Sequence, residues 1–233
     1  MTRRPDLGYG RGMSTRVYFV RHGSTPLTAE DRFAGSTDLE LSDEGRSQVS
    51  QLAERLQSER IAQIYASPMR RTMETARILG APQKLAPLPR EGLREIDHGR
   101  WEGLSRKEVA ERFPSEYEAW EKDPFTFAPQ GGEAGVAVMA RALPIVRAVV
   151  EAHPGETVVV VSHKATIRLV ISSLLGIDAR GYRDRLDQSP ACLNALEFKD
   201  AVRARLVLYN DISHYADAHR ATGPRLSSWF DPK

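Results

Sequence analysis

The chain has 233 residues and a nearly balanced charge, with 33 Lys and Arg against 31 Asp and Glu. This balance argues against a general nucleic-acid or membrane-surface binder, because such proteins usually carry a larger and clustered basic excess. The single cysteine, Cys192, excludes an internal disulfide framework and a CxxC metal site. No apolar run is long enough to span a bilayer, and we expect a cytoplasmic protein with no membrane or nucleic-acid partner.

The chain divides into a domain between two tails. Residues 1–13 are polar and lack the apolar stretch of a secretory signal, which predicts a disordered tail. Residues 14–215 contain no evident repeat or linker and predict a single domain. Residues 216–233 predict a second polar tail.

The first half of the domain alternates apolar runs with helical patterns. Residues 17–20 and residues 61–66 each predict a short strand. Between them, Ser42 is a candidate N-cap for a helix whose apolar residues recur at helical spacing. Ser67 and Pro68 predict the N-cap and first residue of the next helix.

The middle of the chain predicts less regular structure. Residues 84–89 predict a short strand or an extended link. Residues 93–129 are polar but rich in aromatic residues, and we interpret them as an insertion over the sheet, with a short helix at 105–112 and a local aromatic core. Apolar residues then recur with helical spacing through 136–150, where Pro144 should kink or split the helix.

The last third completes the pattern. Residues 157–161 are mostly valine, which is typical of a parallel strand covered on both faces. A helical stripe over residues 167–174 ends at Gly176, a plausible helix stop. Residues 193–198 and 203–209 predict an antiparallel hairpin. The alternation predicts a three-layer α/β sandwich with a mainly parallel sheet and an antiparallel edge strand.

Two histidines directly follow apolar strands. Arg21 and His22 come after the first strand, and His163 comes after the run at 158–161. Open α/β sheets bind ligands at the carboxyl ends of their strands, so these side chains are candidates for one site. Arg71 follows a third strand, and arginine offers a planar fork that matches phosphate. The pattern predicts a phosphate-binding site.

These residues resemble motifs of the histidine phosphatase superfamily, in its phosphoglycerate mutase-like phosphatase branch. The matching motifs occur in family order over roughly residues 16–200: Val20-Arg21-His22-Gly23, Arg32-Phe33-Ala34-Gly35, Asp38 through Ser42, Ser67-Pro68-Met69-Arg70-Arg71 with Thr75-Ala76, Leu93-Arg94-Glu95-Ile96 through Trp101-Glu102-Gly103, Gly131-Gly132-Glu133 and Val161-Ser162-His163. Several independent motifs coincide, which makes the resemblance specific.

The resemblance implies a phosphoglycerate mutase-like fold and hydrolysis of a small phosphomonoester with neither metal nor cofactor. His22 would be the phosphorylated nucleophile. Arg21, Arg71 and a protonated His163 would surround the phosphoryl group. Glu95 would protonate the leaving oxygen and then accept a proton from the attacking water.

Four further residues are candidates for substrate binding. Arg32 would help to hold the phosphate or the substrate, and Gly35 belongs to the same motif. Thr28 stands where many members have asparagine, and Lys164 stands where they have glycine. A lysine at a helix start opposes the helix dipole, and two interpretations stay open: it extends into solvent, or it recognises a second negative group on the substrate.

Alternative functions also stay open. Phosphoglycerate mutase-type transfer would need a site that keeps water from the phosphohistidine, and the short stretch between Glu95 and Gly131 favours the phosphatase. A non-catalytic binding module would be expected to have lost a catalytic group. The six histidines contain no ligand pair at helical spacing, which disfavours a metal-dependent hydrolase. Assembly as a homo-oligomer is open.

Overall fold

The computed structural model describes residues 14–29 and 32–216, so the tail predicted at 1–13 and nearly all of the tail at 216–233 lie outside the described residues. Six strands form one sheet within these ranges. They are β1 (Thr15–Arg21), β2 (Ile61–Ala66), β3 (Leu88–Pro89), β4 (Thr157–Ser162), β5 (Leu193–Phe198) and β6 (Ala204–Asp211).

The strand order is β3-β2-β4-β1-β5-β6. The pairs β3–β2, β2–β4 and β4–β1 are parallel, whereas β1–β5 and β5–β6 are antiparallel. This confirms the predicted parallel sheet with an antiparallel edge. The sheet therefore places the ends of β2, β4 and β1 side by side at one edge.

Eight α-helices accompany the strands in the described ranges. They are α1 (Pro26–Ala29), α2 (Asp43–Leu56), α3 (Arg70–Gly80), α4 (Arg106–Arg112), α5 (Pro114–Lys122), α6 (Gly135–Ala152), α7 (Lys164–Leu175) and α8 (Tyr182–Arg185). Ser42 caps α2 by accepting the Gly45 N–H, and Gly176 ends α7 in the left-handed conformation at φ 67°, both as predicted. None of these helices is long and apolar enough to cross a membrane.

The strands bury both of their faces. In β1, Tyr18 and Val20 pack with apolar side chains of α2 and α3. Their neighbours Val17 and Phe19 point to the opposite face and pack with α6 and α7. This alternation, which follows from the two-residue repeat of a strand, produces the three predicted layers.

The start of α3 differs from the prediction. The helix begins at Arg70, and its N-cap is Met69, which makes no side-chain capping bond. The Ser67 hydroxyl lies 2.8 Å from Nε2 of His163 instead. Ser67 is therefore part of a contact between strand ends, which its neighbours in the sequence could not indicate.

Pro144 is expected to kink or split the helix. The split is wrong, because α6 runs without interruption from Gly135 to Ala152. Proline removes one hydrogen bond to the carbonyl four residues earlier, here that of Ala140. Ala140 and Pro144 are both exposed, so water can satisfy the carbonyl.

The 93–129 region contains a helix that the sequence did not indicate. α4 has the predicted position, with Ser105 and Glu108 forming a capping box, but α5 follows at once, with Pro114 in its first turn. The aromatic residues form a small separate core, as predicted, around Phe33, Trp101, Val109 and Trp120. This core fixes the region to the chain segment that follows α1.

Candidate active site

The parallel strands bring both histidines together. Val20 and Val161 are register partners, so Arg21 and His22 leave β1 beside the end of β4, where His163 begins. The His22 amide donates to the Ser162 carbonyl at 3.1 Å. The two imidazole rings lie 5.2 Å apart between centroids and meet edge to face.

The hydrogen bonds of His22 define its tautomer. Its Nδ1 lies 2.8 Å from the Gly23 carbonyl oxygen. A carbonyl can only accept, so Nδ1 carries the proton and Nε2 carries a lone pair. His22 is buried, with 6% of its surface exposed, which keeps the ring in this orientation. The ring thus has the protonation pattern of a nitrogen nucleophile.

His163 presents the complementary pattern. Its Nε2 meets the Ser67 hydroxyl, while its buried Nδ1 has no hydrogen-bond partner among residues 14–29 and 32–216. If the hydroxyl donates to Nε2, Nδ1 carries a proton that can be donated elsewhere. A buried polar atom without a partner costs free energy, and a ligand oxygen can remove that cost.

Two arginines lie at the same edge. Arg21 is buried and donates through Nη1 to the Gln188 carbonyl at 2.6 Å, and its Nε is a buried donor with no partner in the described residues. Arg71 is also buried and donates to the carbonyls of Thr37 at 2.7 Å and Gly35 at 2.9 Å. Its neighbour Arg70 is exposed and pairs with Glu40. Both buried arginines donate to backbone carbonyl oxygens, and such neutral dipoles leave much of the positive charge available to an anion.

Burial and this positive charge hold both histidines neutral. Burial, and then the charges of Arg71 and Arg21, lower the pKa of His22 well below its ordinary 6.5. Burial and then Arg71 do the same for His163, with His22 and Arg21 contributing further. In the unliganded protein these shifts favour a neutral His163, because a buried cation between two arginines is unfavourable. The expected protonation of His163 concerns the phosphate-bound site and stays a prediction.

Glu95 lies at the N-terminus of α7. Its Oε1 accepts from the Ile96 amide and from the amide and hydroxyl of Thr166, and its Oε2 accepts from the Ala165 amide, all at 3.0–3.1 Å. A helix N-terminus favours a negative group, and here the group is a side chain of the protein. The carboxylate thus connects the 93–129 region to the helix that follows His163.

A loop shaped by one carboxylate holds Arg71. The Glu102 carboxylate accepts from the amides of Gly35, Ser36 and Thr37, from the Thr37 hydroxyl and from the His98 amide. Burial alone would raise the pKa of Glu102, but these hydrogen bonds lower it below its ordinary value. The same loop supplies the carbonyls that bind Arg71. Sequence reasoning assigned no role to Glu102, although it stands in the quoted Trp101-Glu102-Gly103 motif.

The other predicted substrate residues have local partners. Arg32 donates to the Gly103 carbonyl at 2.9 Å and pairs with Glu108 at 2.8 Å, so its side chain is attached to the 93–129 region. The Thr28 hydroxyl lies 2.9 Å from that of Thr25. Thr28 lies in α1 and Arg32 follows that helix. Their role in binding the substrate stays a prediction.

Lys164 is half-buried and begins α7. Burial alone would raise the pKa of Asp187, yet the positive charge of Lys164, together with the Gln188 amide, lowers it. Lys164 therefore has an acidic neighbour. Asp187 also lies 3.3 Å from Arg168 and precedes Gln188, whose carbonyl binds Arg21. No signal in the sequence marked Asp187 or Gln188.

Gly35 occupies a position where a side chain cannot fit. A Cβ there would lie 1.8 Å from the Ile96 carbonyl oxygen and 2.9 Å from Oε1 of Glu102. We expect Gly35→Ala to lower the free energy of unfolding by about 2–4 kcal/mol and to weaken activity, because the loop that binds Arg71 must move. Thermal unfolding and kcat/KM measure both effects. Ser36 is the exposed neighbour, and Ser36→Ala should change neither quantity. If Gly35→Ala had the stability and kcat/KM of the wild-type protein, the loop at Gly35 would not be needed to hold Arg71.

The neutral histidines predict that the protein becomes less stable in acid. The unfolded chain binds protons below pH 6.5, whereas His22 and His163 in the folded protein resist them. Their contribution to stability is therefore complete above pH 6.5 and decreases as pH falls towards the lowered pKa values, by up to about 1.4 kcal/mol per pH unit for each histidine.

We expect the Tm to fall between pH 7 and pH 5, and inorganic phosphate to restore part of the loss by binding the folded protein. Chloride at matched ionic strength is the control. A His22→Asn, His163→Asn double variant should show a shallower decrease, although His98 and His214, whose pKa values are also lowered, still contribute. If the Tm of the double variant fell as much as that of the wild-type protein, the acid sensitivity would not come from His22 and His163.

Comparison with known proteins agrees with this geometry. The family model described as histidine phosphatase superfamily (branch 1) matches residues 17–212. Phosphoserine phosphatase 1 of Hydrogenobacter thermophilus is 34% identical over 163 residues, 70% of this chain and 77% of that protein. Glucosyl-3-phosphoglycerate phosphatase of Mycolicibacterium vanbaalenii is 35% identical over 169 residues, 70% of this chain and 75% of that protein.

A solved structure extends the comparison to the fold. The Bacillus stearothermophilus protein YhfR superposes with a TM-score of 0.80 at 30% identity, covering 86% of this chain and 98% of its own. The family match at residues 17–212 includes the strands that precede both histidines and the antiparallel edge. From its sequence, its sheet and its relatives, the chain belongs to the histidine phosphatase superfamily, branch 1.

Proposed function

We propose that the protein hydrolyses small phosphomonoesters through a phosphohistidine formed on His22, with no metal or cofactor taking part. The observation that carries the proposal is His22, whose neutral form is favoured and whose Nδ1 holds the ring proton, so that Nε2 keeps a lone pair. The His163 ring lies 5.2 Å away, and buried donors on His163 and Arg21 have no hydrogen-bond partner within residues 14–29 and 32–216. Three oxygens of a phosphoryl group would supply the acceptors that these donors need. The phosphatase names of the relatives support the same chemistry.

The first half-reaction forms the phosphoenzyme. Nε2 of His22 attacks phosphorus, and the bond between phosphorus and the ester oxygen breaks, with its electron pair remaining on oxygen. Glu95, protonated for this step, gives its proton to that oxygen, and the alcohol leaves. Arg21 and Arg71 stabilise the charge that spreads over the phosphoryl oxygens.

The second half-reaction regenerates the enzyme. A water oxygen attacks phosphorus while the Glu95 carboxylate accepts a proton from that water. The bond between phosphorus and Nε2 breaks, and its electron pair returns to the ring. The sum is one ester and one water converted to one alcohol and one phosphate. His163 donates a hydrogen bond in both halves and becomes easier to protonate once the phosphate dianion is bound.

A panel of phosphomonoesters, assayed for phosphate release in the presence of a chelator, tests the proposal. We expect turnover of small esters and, with labelled substrate, transient label on His22 that is stable in alkali and labile in acid. Phosphate release that requires an added metal would overturn the proposed mechanism. Isomerisation of 3-phosphoglycerate with catalytic 2,3-bisphosphoglycerate and no phosphate release would establish the mutase alternative instead.

Lys164 is our candidate for recognising a second negative group on the substrate. Two relatives are phosphatases named for phosphoserine and glucosyl-3-phosphoglycerate, both of which carry a carboxylate as well as the phosphate. The charge of Lys164 already acts on the Asp187 carboxylate, so a substrate carboxylate could exchange with it. We propose that Lys164 and Asp187 form such an exchangeable pair.

Lys164→Ala is expected to raise KM for a carboxylate-bearing ester by about fivefold and to leave an uncharged ester within about twofold, since a partly exposed charge pair contributes about 1 kcal/mol. Steady-state kinetics on phosphoserine and phosphoethanol, if both are turned over in the panel, measure the difference. Equal losses on the two esters, or no loss on either, would assign Lys164 to solvent.

Location and assembly complete the proposal. Cys192 is a free and buried thiol. A reduced thiol fits the cytoplasm, where disulfides are rare, and we propose that location. Assembly as a homo-oligomer stays a prediction.

A further inference from the structure

The backbone on both sides of Glu95 is fastened to one arginine of α6. Arg141 donates through Nη1 to the carbonyls of Gly92 and Arg94, at 2.9 and 2.8 Å, and through Nη2 to the carbonyl of Glu95 itself at 2.9 Å. Residues 94–98 have no regular secondary structure, so no ladder of backbone hydrogen bonds fixes this stretch. The guanidinium is therefore one of the main restraints on this backbone, beside the Thr166 hydroxyl, which donates to the Arg94 carbonyl, and the donors that bind the Glu95 carboxylate.

Glu133 orients that guanidinium. Its carboxylate binds Nε and Nη2 of Arg141 at 2.9 and 2.8 Å, a two-point contact that fixes the plane of the fork. Burial alone would raise the pKa of Glu133, but Arg141 lowers it, so the carboxylate is ionised. The Glu133 carboxylate also accepts from the Asp97 amide, and the Glu133 amide donates to the Asp97 carbonyl. Asp97 lies two residues after Glu95, so these bonds hold the same stretch of backbone.

We propose that Arg141 and Glu133 are positioning residues that hold Glu95 where it can exchange a proton with the leaving oxygen. The inference rests on the proposed role of Glu95. One planar cation meets three carbonyl groups, those of Gly92, Arg94 and Glu95, and a carboxylate, which a lysine cannot reproduce with a single nitrogen. Neither residue needs to touch the substrate, because the effect passes through the backbone of Glu95. Small displacements of a proton donor reduce its rate contribution strongly.

The test uses the leaving group as the readout. Arg141→Lys is assayed on p-nitrophenyl phosphate, whose phenolate departs without a proton, and on the fastest aliphatic ester of the panel, whose alkoxide needs one. We expect kcat/KM, which reports the steps up to release of the alcohol, to fall about 10- to 100-fold on the aliphatic ester and less than about threefold on p-nitrophenyl phosphate, as for partial loss of a general acid. The second half-reaction, in which Glu95 acts as a base, is common to both substrates and does not enter kcat/KM. Glu133→Gln, which retains the shape but not the charge, should show the same selectivity with a smaller loss.

A matched control separates positioning from stability. Arg55 forms a similar half-buried pair with Asp211 on a different part of the molecule, and Arg55→Lys should leave both substrates unaffected. Equal losses on both substrates in Arg141→Lys, or no loss on either, would overturn the inference. Glu95→Gln is measured in parallel: if it shows no leaving-group selectivity, the proposed acid role of Glu95 fails and the positioning role with it. If Glu95→Gln is selective and Arg141→Lys is not, only the positioning role fails.

Discussion

His22→Asn is expected to lower kcat by about four to six orders of magnitude and to abolish the labelled phosphoenzyme, because removal of a catalytic nucleophile has effects of this size. Asparagine can still donate to the Gly23 carbonyl through its amide, so the fold around the strand end should survive. Its amide nitrogen has no available lone pair, so no covalent intermediate can form. Steady-state assays and rapid quench with labelled substrate measure the two effects.

A second histidine provides the control. His153 lies beyond the end of α6, bonded to the Tyr65 hydroxyl and the Glu156 carboxylate. It contacts Thr15 at the start of β1, whereas His22 follows the end of that strand. His153→Asn should retain most of the activity. Full turnover by His22→Asn, with label still on the enzyme, would assign the nucleophile to another residue.

Glu95→Gln is expected to lower kcat by about 10²- to 10⁴-fold, the usual contribution of a general acid and base, with KM changed little. The structure adds a cost in stability. A glutamine oxygen can take the place of Oε1, but its amide nitrogen then faces the Ala165 N–H that Oε2 now accepts. One unsatisfied donor pair should lower the free energy of unfolding by about 1–3 kcal/mol.

Kinetics must therefore be measured below the Tm of the variant. Glu91→Gln is the matched control, since Glu91 precedes Glu95 by four residues and forms an exposed pair with Arg94. It should leave both kcat and Tm unaffected. Glu95→Gln with unaltered kcat would remove Glu95 from the mechanism.

The sequence was informative where chemistry follows a strong local pattern. Four apolar runs ended by polar residues located β1, β2, β4 and β5, and the parallel neighbours β1 and β4 explain why His22 and His163 meet. Buried strands have few alternatives, since their apolar residues must be covered on both faces. The positions of Arg21, Arg71 and His163 at one edge follow from that topology.

Contacts between distant segments could not be predicted in the same way. Ser67 has the composition of a helix cap, but its hydroxyl meets His163, 96 residues away. Glu95 binds amides at the start of α7, about 70 residues later in the chain. The partners of Arg21 and Arg71 are backbone carbonyls, which any residue type supplies. Such acceptors leave no mark in the sequence.

The place of Glu102 sets a boundary for exchanging segments between relatives. Glu102 lies in the 93–129 region, but its carboxylate binds the amides of the loop at 35–37. That loop holds Arg71 at the edge of the sheet, so Glu102 acts on the candidate site from outside it. A chimera that replaces residues 104–129 keeps this support, provided that the donor offers Arg32 a carboxylate in place of Glu108. A chimera whose exchanged segment begins before residue 102 would need a glutamate at position 102. Without it, the loop whose carbonyls bind Arg71 would lose its support.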